Sequence, residues 1–372
     1  MGGLYIGLMS GTSLDGADVA IVDLDDTSCV LHSAETTPFP TNLAARLRSL
    51  SESPETTLVE LGTLDTELGG YFADCVNTSL RSLGRSADDI VALGYSGHTV
   101  FHKPTQPHAF TMQIGDPNAI AAATGIEVVA DFRRMDVAHG GQGAPLAPAF
   151  HAWRFADPEE VRVALNLGGV ANITVLDPTQ SLTGYDTGPA NSLMDAWCRR
   201  YWNERFDVDG KRARGGEVAQ DLLDVFLADP YFRRQAPKST GFEHFNIGWV
   251  MDKLAQYSRE IEPDDVLATL TELTAASVGN AIRSSAPKAS RVILCGGGTF
   301  NSYLIERLGT HLPDCVLAPS SEHGVDPEWV EAVAFAWLAR MRLQNKPGNA
   351  VAVTGARHTT TLGGIYLSKQ RS

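Results

Sequence analysis

Apolar positions along this chain alternate between two periods. Short apolar runs bounded by Gly, Ser or Asp predict strands at Leu4 to Met9, Val19 to Leu24, Ile90 to Tyr95 and Phe110 to Ile114. Further runs of this kind are Glu127 to Phe132, Val161 to Gly169, Val170 to Leu176 and Val292 to Cys295. Longer stretches with apolar residues three and four apart predict helices over Leu58 to Leu83, Ala190 to Tyr201 and Asp264 to Ser285. Pro117 to Ala123 suits a short helix with proline in its first turn. Asp326-Pro327 opens another, with Asp as cap and Val330, Val333, Ala334, Trp337, Leu338 and Met341 on its apolar face. Ala34 to Pro54 reads as a polar stretch, and Gly348 to Tyr366 as strand and turn.

Two of these strand pairs share a plan. Leu4 to Met9 runs into Ser10-Gly11-Thr12-Ser13-Leu14-Asp15-Gly16 and returns through Val19 to Leu24. Val161 to Gly169 turns at Gly168-Gly169 and returns through Val170 to Leu176. Each reads as a hairpin whose tip of small residues lets the backbone approach a phosphate, with Asp15 placed to hold Mg²⁺ or its water shell. Ordinary turn chemistry gives similar tips. The recurrence of the hairpin one domain apart predicts two α/β lobes with a nucleotide between them, the plan of actin-like ATPases and sugar kinases. His139-Gly140-Gly141-Gln142-Gly143-Ala144-Pro145 is a glycine-rich break, and the crossover between lobes is expected near Arg133 to Pro148. Lobe I is then residues 1–133 with about 327–372, and lobe II is 134–326.

Composition narrows the class. The 372 residues suffice for two cores, and 43% are hydrophobic, ordinary for a globular protein. A net charge of −14 argues against a nucleic-acid or anionic-membrane partner. No apolar run approaches the roughly 20 residues that span a bilayer, and no basic leader opens the chain. Cys29, Cys75, Cys198, Cys295 and Cys315 are scattered and form no CxxC, which fits a reducing cytoplasm and no structural zinc.

Asp186, in Tyr185-Asp186-Thr187-Gly188-Pro189-Ala190-Asn191, is the strongest catalytic candidate. A helix expected to begin near Pro189 would favour its ionised form, suiting it as a general base; helix capping is the alternative. Gly296-Gly297-Gly298 follows a strand and permits close approach of a flat ring or a phosphate, but the stretch fits neither GxGxxG nor a P-loop. Arg133, Arg134 and Asp136 flank the crossover. Glu328 reads as a first-turn acid of the following helix, while Glu331 is a binding candidate. His98 and His102 lack the context of a metal site.

Taken in order, GLMSGTSLDGAD (Gly7 to Asp18), QIGDP (Gln113 to Pro117), DFRRMDVAHGGQGAPLAPAFH (Asp131 to His151) and LNLGGVANIT (Leu165 to Thr174) closely resemble the 1,6-anhydro-N-acetylmuramic acid kinases. So do YDTGPANSLMD (Tyr185 to Asp195), PKSTGFEHFN (Pro237 to Asn246), TLTELTAASV (Thr269 to Val278), CGGGTFN (Cys295 to Asn301), EAVAFAWLA (Glu331 to Ala339) and TGA (Thr354 to Ala356). The resemblance implies a duplicated ribonuclease H-like, actin-like fold with ATP and Mg²⁺ in its cleft. It also implies a cytoplasmic homodimer in cell-wall sugar recycling. By resemblance, Asp186 activates the water that opens the anhydro sugar. Gly11, Thr12, Ser13, Leu14, Asp15, Gly16, Ala17 and Asp18 hold phosphates, with the metal at Asp15. Gly168 and Gly169 form a second phosphate turn, and Gly296, Gly297 and Gly298 flank adenosine. Arg133, Arg134, Asp136 and Glu331 line the sugar. A non-enzymatic nucleotide switch and a sugar-sensing regulator are the competing classes; neither a peptide-binding domain nor a helix-turn-helix segment is apparent.

Overall fold

The computed structural model describes residues 2–11, 14–53, 55–257 and 259–368. Strands β1 (Gly3–Met9), β2 (Gly16–Leu24) and β3 (Cys29–Pro38) are followed by helices α1 (Thr41–Glu52) and α2 (Leu58–Ser82). Next come β4 (Ile90–Tyr95), β5 (His98–Lys103), β6 (Phe110–Ile114), α3 (Pro117–Thr124), β7 (Val128–Ala130), α4 (Phe132–Ala138) and α5 (Ala147–Phe155). The chain continues through β8 (Arg162–Leu167), β9 (Val170–Leu176), β10 (Thr183–Pro189) and α6 (Asn191–Trp202). Helices α7 (Lys211–Gly215), α8 (Gln220–Leu227), α9 (Pro230–Arg233), α10 (Ile247–Gln256) and α11 (Pro263–Ser285) precede β11 (Arg291–Cys295). The last elements are α12 (Ser302–His311), β12 (Val316–Pro319), α13 (Val330–Leu343), α14 (Val351–Thr354) and β13 (Gly364–Tyr366).

The chain divides into unit 1, residues 1–150 with 329–372, and unit 2, residues 151–328. Unit 1 has a sheet of order β13-β7-β4-β1-β2-β3, and unit 2 one of order β10-β9-β8-β11-β12. In each, the first strand pairs antiparallel with a hairpin partner on one side and parallel with a later strand on the other. Both sheets therefore carry the same 3-2-1-4-5 arrangement, and unit 1 adds β13 antiparallel at its edge. This is a duplicated ribonuclease H-like α/β fold.

Helix α11 is buried on nearly every side, from Val266 through Gly279, and forms the centre of unit 2. Helix α13 does the same in unit 1. It lies against the backbone of β1 and β4 where Gly7 and Gly94 pair. A Cβ at Gly7 would fall 1.7 Å from the carbonyl oxygen of Ala332, and one at Gly94 would fall 2.0 Å from that of Phe335.

Four expectations need correction. The polar stretch 34–54 holds the end of β3 and all of α1, and Phe132 begins α4 rather than ending a strand, with Asp131 at φ 62 as the break. The stretch expected as crossover, Arg133 to Pro148, packs in unit 1, and the chain leaves that unit only at Phe150. The tail contains helix α14. Among the described residues no helix is long and apolar enough to cross a membrane.

Gly94→Ala is expected to destabilise the protein by about 2–3 kcal/mol, because a methyl group there displaces the backbone of α13. Gly62→Ala, at a helical position with nothing within 4 Å of a new Cβ, is the matched control. It should be neutral or stabilising by roughly 0.5–1 kcal/mol. Urea unfolding of both variants checks the pair.

Candidate active site

In unit 2, the features picked out by sequence gather at one end of the sheet. Strands β8 and β11 run parallel, so the Gly168-Gly169 turn and Gly296-Gly297-Gly298 both follow carboxyl ends of strands, where α/β proteins place ligands. A Cβ at Gly296 (φ 82) would lie 2.5 Å from Asn166 Oδ1, and one at Gly298 would lie 2.7 Å from Leu167 Cβ. These two glycines are required by packing against the end of β8. Gly297 has nothing within 4 Å of a new Cβ, and is the one of the three with room for a ligand. The carbonyls of Gly168 and Gly169 accept the N–H groups of Asn191, Ala190 and Ser192. The turn is thus tied to the start of α6.

Asp186 lies within edge strand β10, opposite Asn172 of β9, just before a register shift between Asp186 and Gly188. Such a bulge re-aims neighbouring side chains. The expected helix-terminus effect on Asp186 is absent, because α6 begins at Asn191 and its first N–H groups serve the glycine turn. The partner comes instead from the segment 237–246. Thr240 N–H donates to Asp186 Oδ2 at 3.0 Å, and Asp186 N–H donates to Lys238 O at 3.2 Å. Tyr231 O–H donates to the Asp186 carbonyl at 2.7 Å. Burial pushes the Asp186 carboxyl up to about 6, opposed by the Thr240 N–H, reinforced by Glu243 and opposed by Lys238. Asp186 does not cap a helix; the residue preceding α6 is Ala190, which offers no side-chain cap.

In unit 1, β1 and β2 form the expected hairpin, with Met9 opposite Asp18. Thr12 and Ser13 lie outside the described residues. Leu14, at φ 60, donates its N–H to Gly11 O at 3.3 Å, and Asp15 is exposed. Gly16, Ala17 and Asp18 belong to β2 rather than to the turn: Ala17 is fully buried, and Asp18 accepts from Thr36 Oγ1 at 2.6 Å.

The substrate candidates of unit 1 separate into three kinds. Arg133 and Glu331 interact electrostatically. Surrounding protein raises the Glu331 carboxyl while Arg133 opposes that rise, and Arg133 Nη1 donates to Gly143 O at 3.0 Å. Arg134 is exposed, pairs with Asp131 at 3.5 Å, and borders a cavity of about 140 Å³ lined also by Asp65, Gln113 and Tyr366. Asp136 has a different part from the one read off the sequence. It is fully buried and accepts from Gly143 N–H, Asn349 Nδ2 and Thr354 Oγ1, each at 2.8 Å. Both of its oxygens serve donors of the chain itself, so it organises the glycine-rich loop.

The sequence profile of the anhydro-N-acetylmuramic acid kinases matches residues 3–368. The chain belongs to the anhydro-N-acetylmuramic acid kinase family. The anhydro-N-acetylmuramic acid kinase of Saccharophagus degradans is 47% identical over 366 residues, covering 98% of each chain. That of Coxiella burnetii is 46% identical over 368 residues, again covering 98% of each. That of Photobacterium profundum is 46% identical, over 97% of this chain and 98% of its own.

Sequence reasoning missed Thr240, Lys238 and Glu243 as the surroundings of Asp186, and Asn349 as a partner of Asp136. Only the family motif PKSTGFEHFN carried a signal for the first three; no local pattern marks Asn349. Asp136→Ala is expected to cost about 2–4 kcal/mol of stability, because it strands buried donors. Arg134→Ala should change stability by no more than about 0.5 kcal/mol, as its ion pair is exposed. Denaturant titration separates these outcomes.

Proposed function

We propose that this protein uses ATP and water to open 1,6-anhydro-N-acetylmuramic acid and phosphorylate O6, giving N-acetylmuramic acid 6-phosphate and ADP for peptidoglycan recycling. The observation that carries this reading is the Asp186 carboxylate. It is half-buried on an edge strand, fixed by the Thr240 N–H, raised to about 6, and at the same sheet end as two glycine turns of its unit. A carboxylate in that range accepts a proton strongly yet is mostly ionised at neutral pH.

In the proposed reaction, Asp186 takes a proton from water as the water oxygen bonds to the anomeric carbon. The bond from that carbon to O6 breaks, and O6 bonds to the γ-phosphorus as the bond to the ADP oxygen breaks. Phosphorus captures the leaving oxygen, so a second carboxylic acid to protonate it is not needed, unlike in inverting glycosidases. Gly11 to Asp15 and the Gly168-Gly169 turn are read as phosphate contacts, Gly297 as the glycine nearest adenosine, and Arg133, Arg134 and Glu331 as the sugar side. Buried Ala17 contributes packing, and Gly16 and Asp18 contribute through strand backbone.

Among the described residues no cluster of three metal-ligating side chains exists. Mg²⁺ delivered on ATP needs only one or two carboxylates beside phosphate oxygens and water, and Asp15 is the residue assigned to it. When bound, the ion neutralises phosphate charge. The reading includes a cytoplasmic homodimer. The scattered positions of Cys29, Cys75, Cys198, Cys295 and Cys315, with no CxxC, agree with a reducing compartment.

Asp186→Asn should lower kcat/KM by at least about 100-fold while nucleotide binding persists. In the parent protein kcat/KM should fall as pH drops through about 6, since only the ionised form accepts the proton. Stability moves oppositely. The folded value lies above the ordinary 3.8, so the charge on Asp186 opposes folding, and this cost grows from pH 3.8 to about 6. Asp186→Asn should therefore be more stable at pH 7, by about 1–2 kcal/mol. Turnover in ¹⁸O-water with mass analysis decides the chemistry: label at the anomeric hydroxyl and phosphate on O6 support it. ADP release with no label in the sugar overturns it.

A further inference from the structure

Ser10 follows β1 immediately before Gly11, and its Oγ lies 2.9 Å from Nδ1 of His98, the first residue of β5. Both side chains are buried, Ser10 at 8% and His98 at 1% exposure. The link from β4 to β5 is stitched to the same strand end: Ser96 N–H donates to Leu8 O at 3.0 Å, and Gly97 takes φ 73 to turn the chain. Phe39 meets the imidazole edge-on at 6.1 Å. Nε2 of His98 is buried and has no hydrogen-bond partner among the described residues.

These observations fix where the imidazole proton sits. Burial pushes His98 down to about 4, so the ring is neutral at physiological pH and carries one proton. A proton on Nε2 would leave a buried N–H with no acceptor, and orphaned buried donors are rarer and costlier than bare acceptors. A proton on Nδ1 is used on Ser10 Oγ and leaves only an unpaired lone pair at Nε2. The Nδ1–H form therefore wins, Ser10 Oγ accepts, and the serine's own O–H is turned away from the ring.

We propose that His98 is a positioning residue that, by donating from Nδ1, makes the Ser10 hydroxyl a one-way donor to a phosphate oxygen of nucleotide at the β1–β2 turn. This rests on the reading of that turn as a phosphate site. Ser10 would touch the nucleotide; His98 acts only through Ser10.

The test uses the full-length protein with histidine ring nitrogens labelled with ¹⁵N. The expected NMR signature is His98 protonated at Nδ1 with and without a non-hydrolysable Mg·ATP analogue, with its resonances shifting on binding. An Nε2–H ring overturns the proposal. Ser10→Ala should weaken analogue binding about ten- to a hundredfold, the worth of one hydrogen bond to a charged acceptor. His98→Leu should give a loss of similar size, and the double variant should be no worse than Ser10→Ala alone. His98→Asn, whose amide nitrogen overlays Nδ1, should restore most of the affinity, which guards against a folding defect in the leucine variant. Additive losses, or an asparagine variant as weak as leucine, overturn the proposal. If Ser10→Ala binds normally while Asp15→Ala binds weakly, the proposal fails and the phosphate turn stands; if both bind normally, the turn reading fails as well.

Discussion

Unit 1 depends on backbone touching backbone. Helix α13 rests on the paired glycines of β1 and β4 so closely that no side chain fits at Gly7 or Gly94. Ala332, Ala336 and Ala339 on the helix keep the approach short. The seat sets the height and rotation of the whole helix. At its amino-terminal end Glu331 is brought to interact with Arg133, which belongs to α4, and a tilted ring contact of Phe132 with Phe335, centroids 5.7 Å apart, joins the same two helices. Toward its other end the fully buried Arg340 reaches Asp26 at 2.7 Å, in the link between β2 and β3. One close contact therefore places a pair of functional candidates and an ion pair between a buried arginine and an exposed aspartate. A helix lifted by a methyl group would move all of them together.

The two units share a strand order but support their hairpin turns differently. In unit 2 the carbonyls of Gly168 and Gly169 take the first N–H groups of α6, and Asn191 Nδ2 donates to Leu167 O beside them at 3.0 Å, so the turn is held mainly by backbone. In unit 1 the hairpin approaches its tip through Ser10, supported by a buried imidazole from β5. Among the described residues β5 pairs only with β6, and unit 2 shows no counterpart of this two-stranded ribbon. Duplication fixed the sheets; the surroundings of each turn were built separately.

Much of this was legible in the sequence because it is local. Strands β4 and β6 match their apolar runs residue for residue, and α2 and α11 follow their helical periods to within a residue or so at either end. Strand β3 was not legible, since it is an edge strand whose exposure alternates and whose residues are largely polar. Helices α4 and α5 were hidden by the glycines between them, which read as a crossover. Asp136 was misread for a different reason. Its acidic character beside a glycine loop suggested a ligand, but its partners Asn349 and Thr354 lie over two hundred residues away. No local period reports such a contact.

Asp186 was singled out as a candidate for a reason that the structure replaces. A helix N-terminus would have held it charged; burial instead favours its neutral form, and burial outweighs the Thr240 N–H and Lys238. The order of these effects matters to the chemistry. Had the backbone donor and the ammonium prevailed, the carboxylate would be fully ionised but a poor proton acceptor. Had burial acted without them, the group would be protonated near neutral pH. Lys238 is itself restrained, its ammonium donating to Tyr231 O at 3.3 Å and lying over the Tyr231 ring at 4.6 Å. Its charge is thereby kept near Asp186 without being spent in a direct ion pair, which would draw the carboxyl back toward its ordinary range. The segment that carries both Thr240 and Lys238 thus sets orientation and basicity at once, and a change in its path would alter the two together.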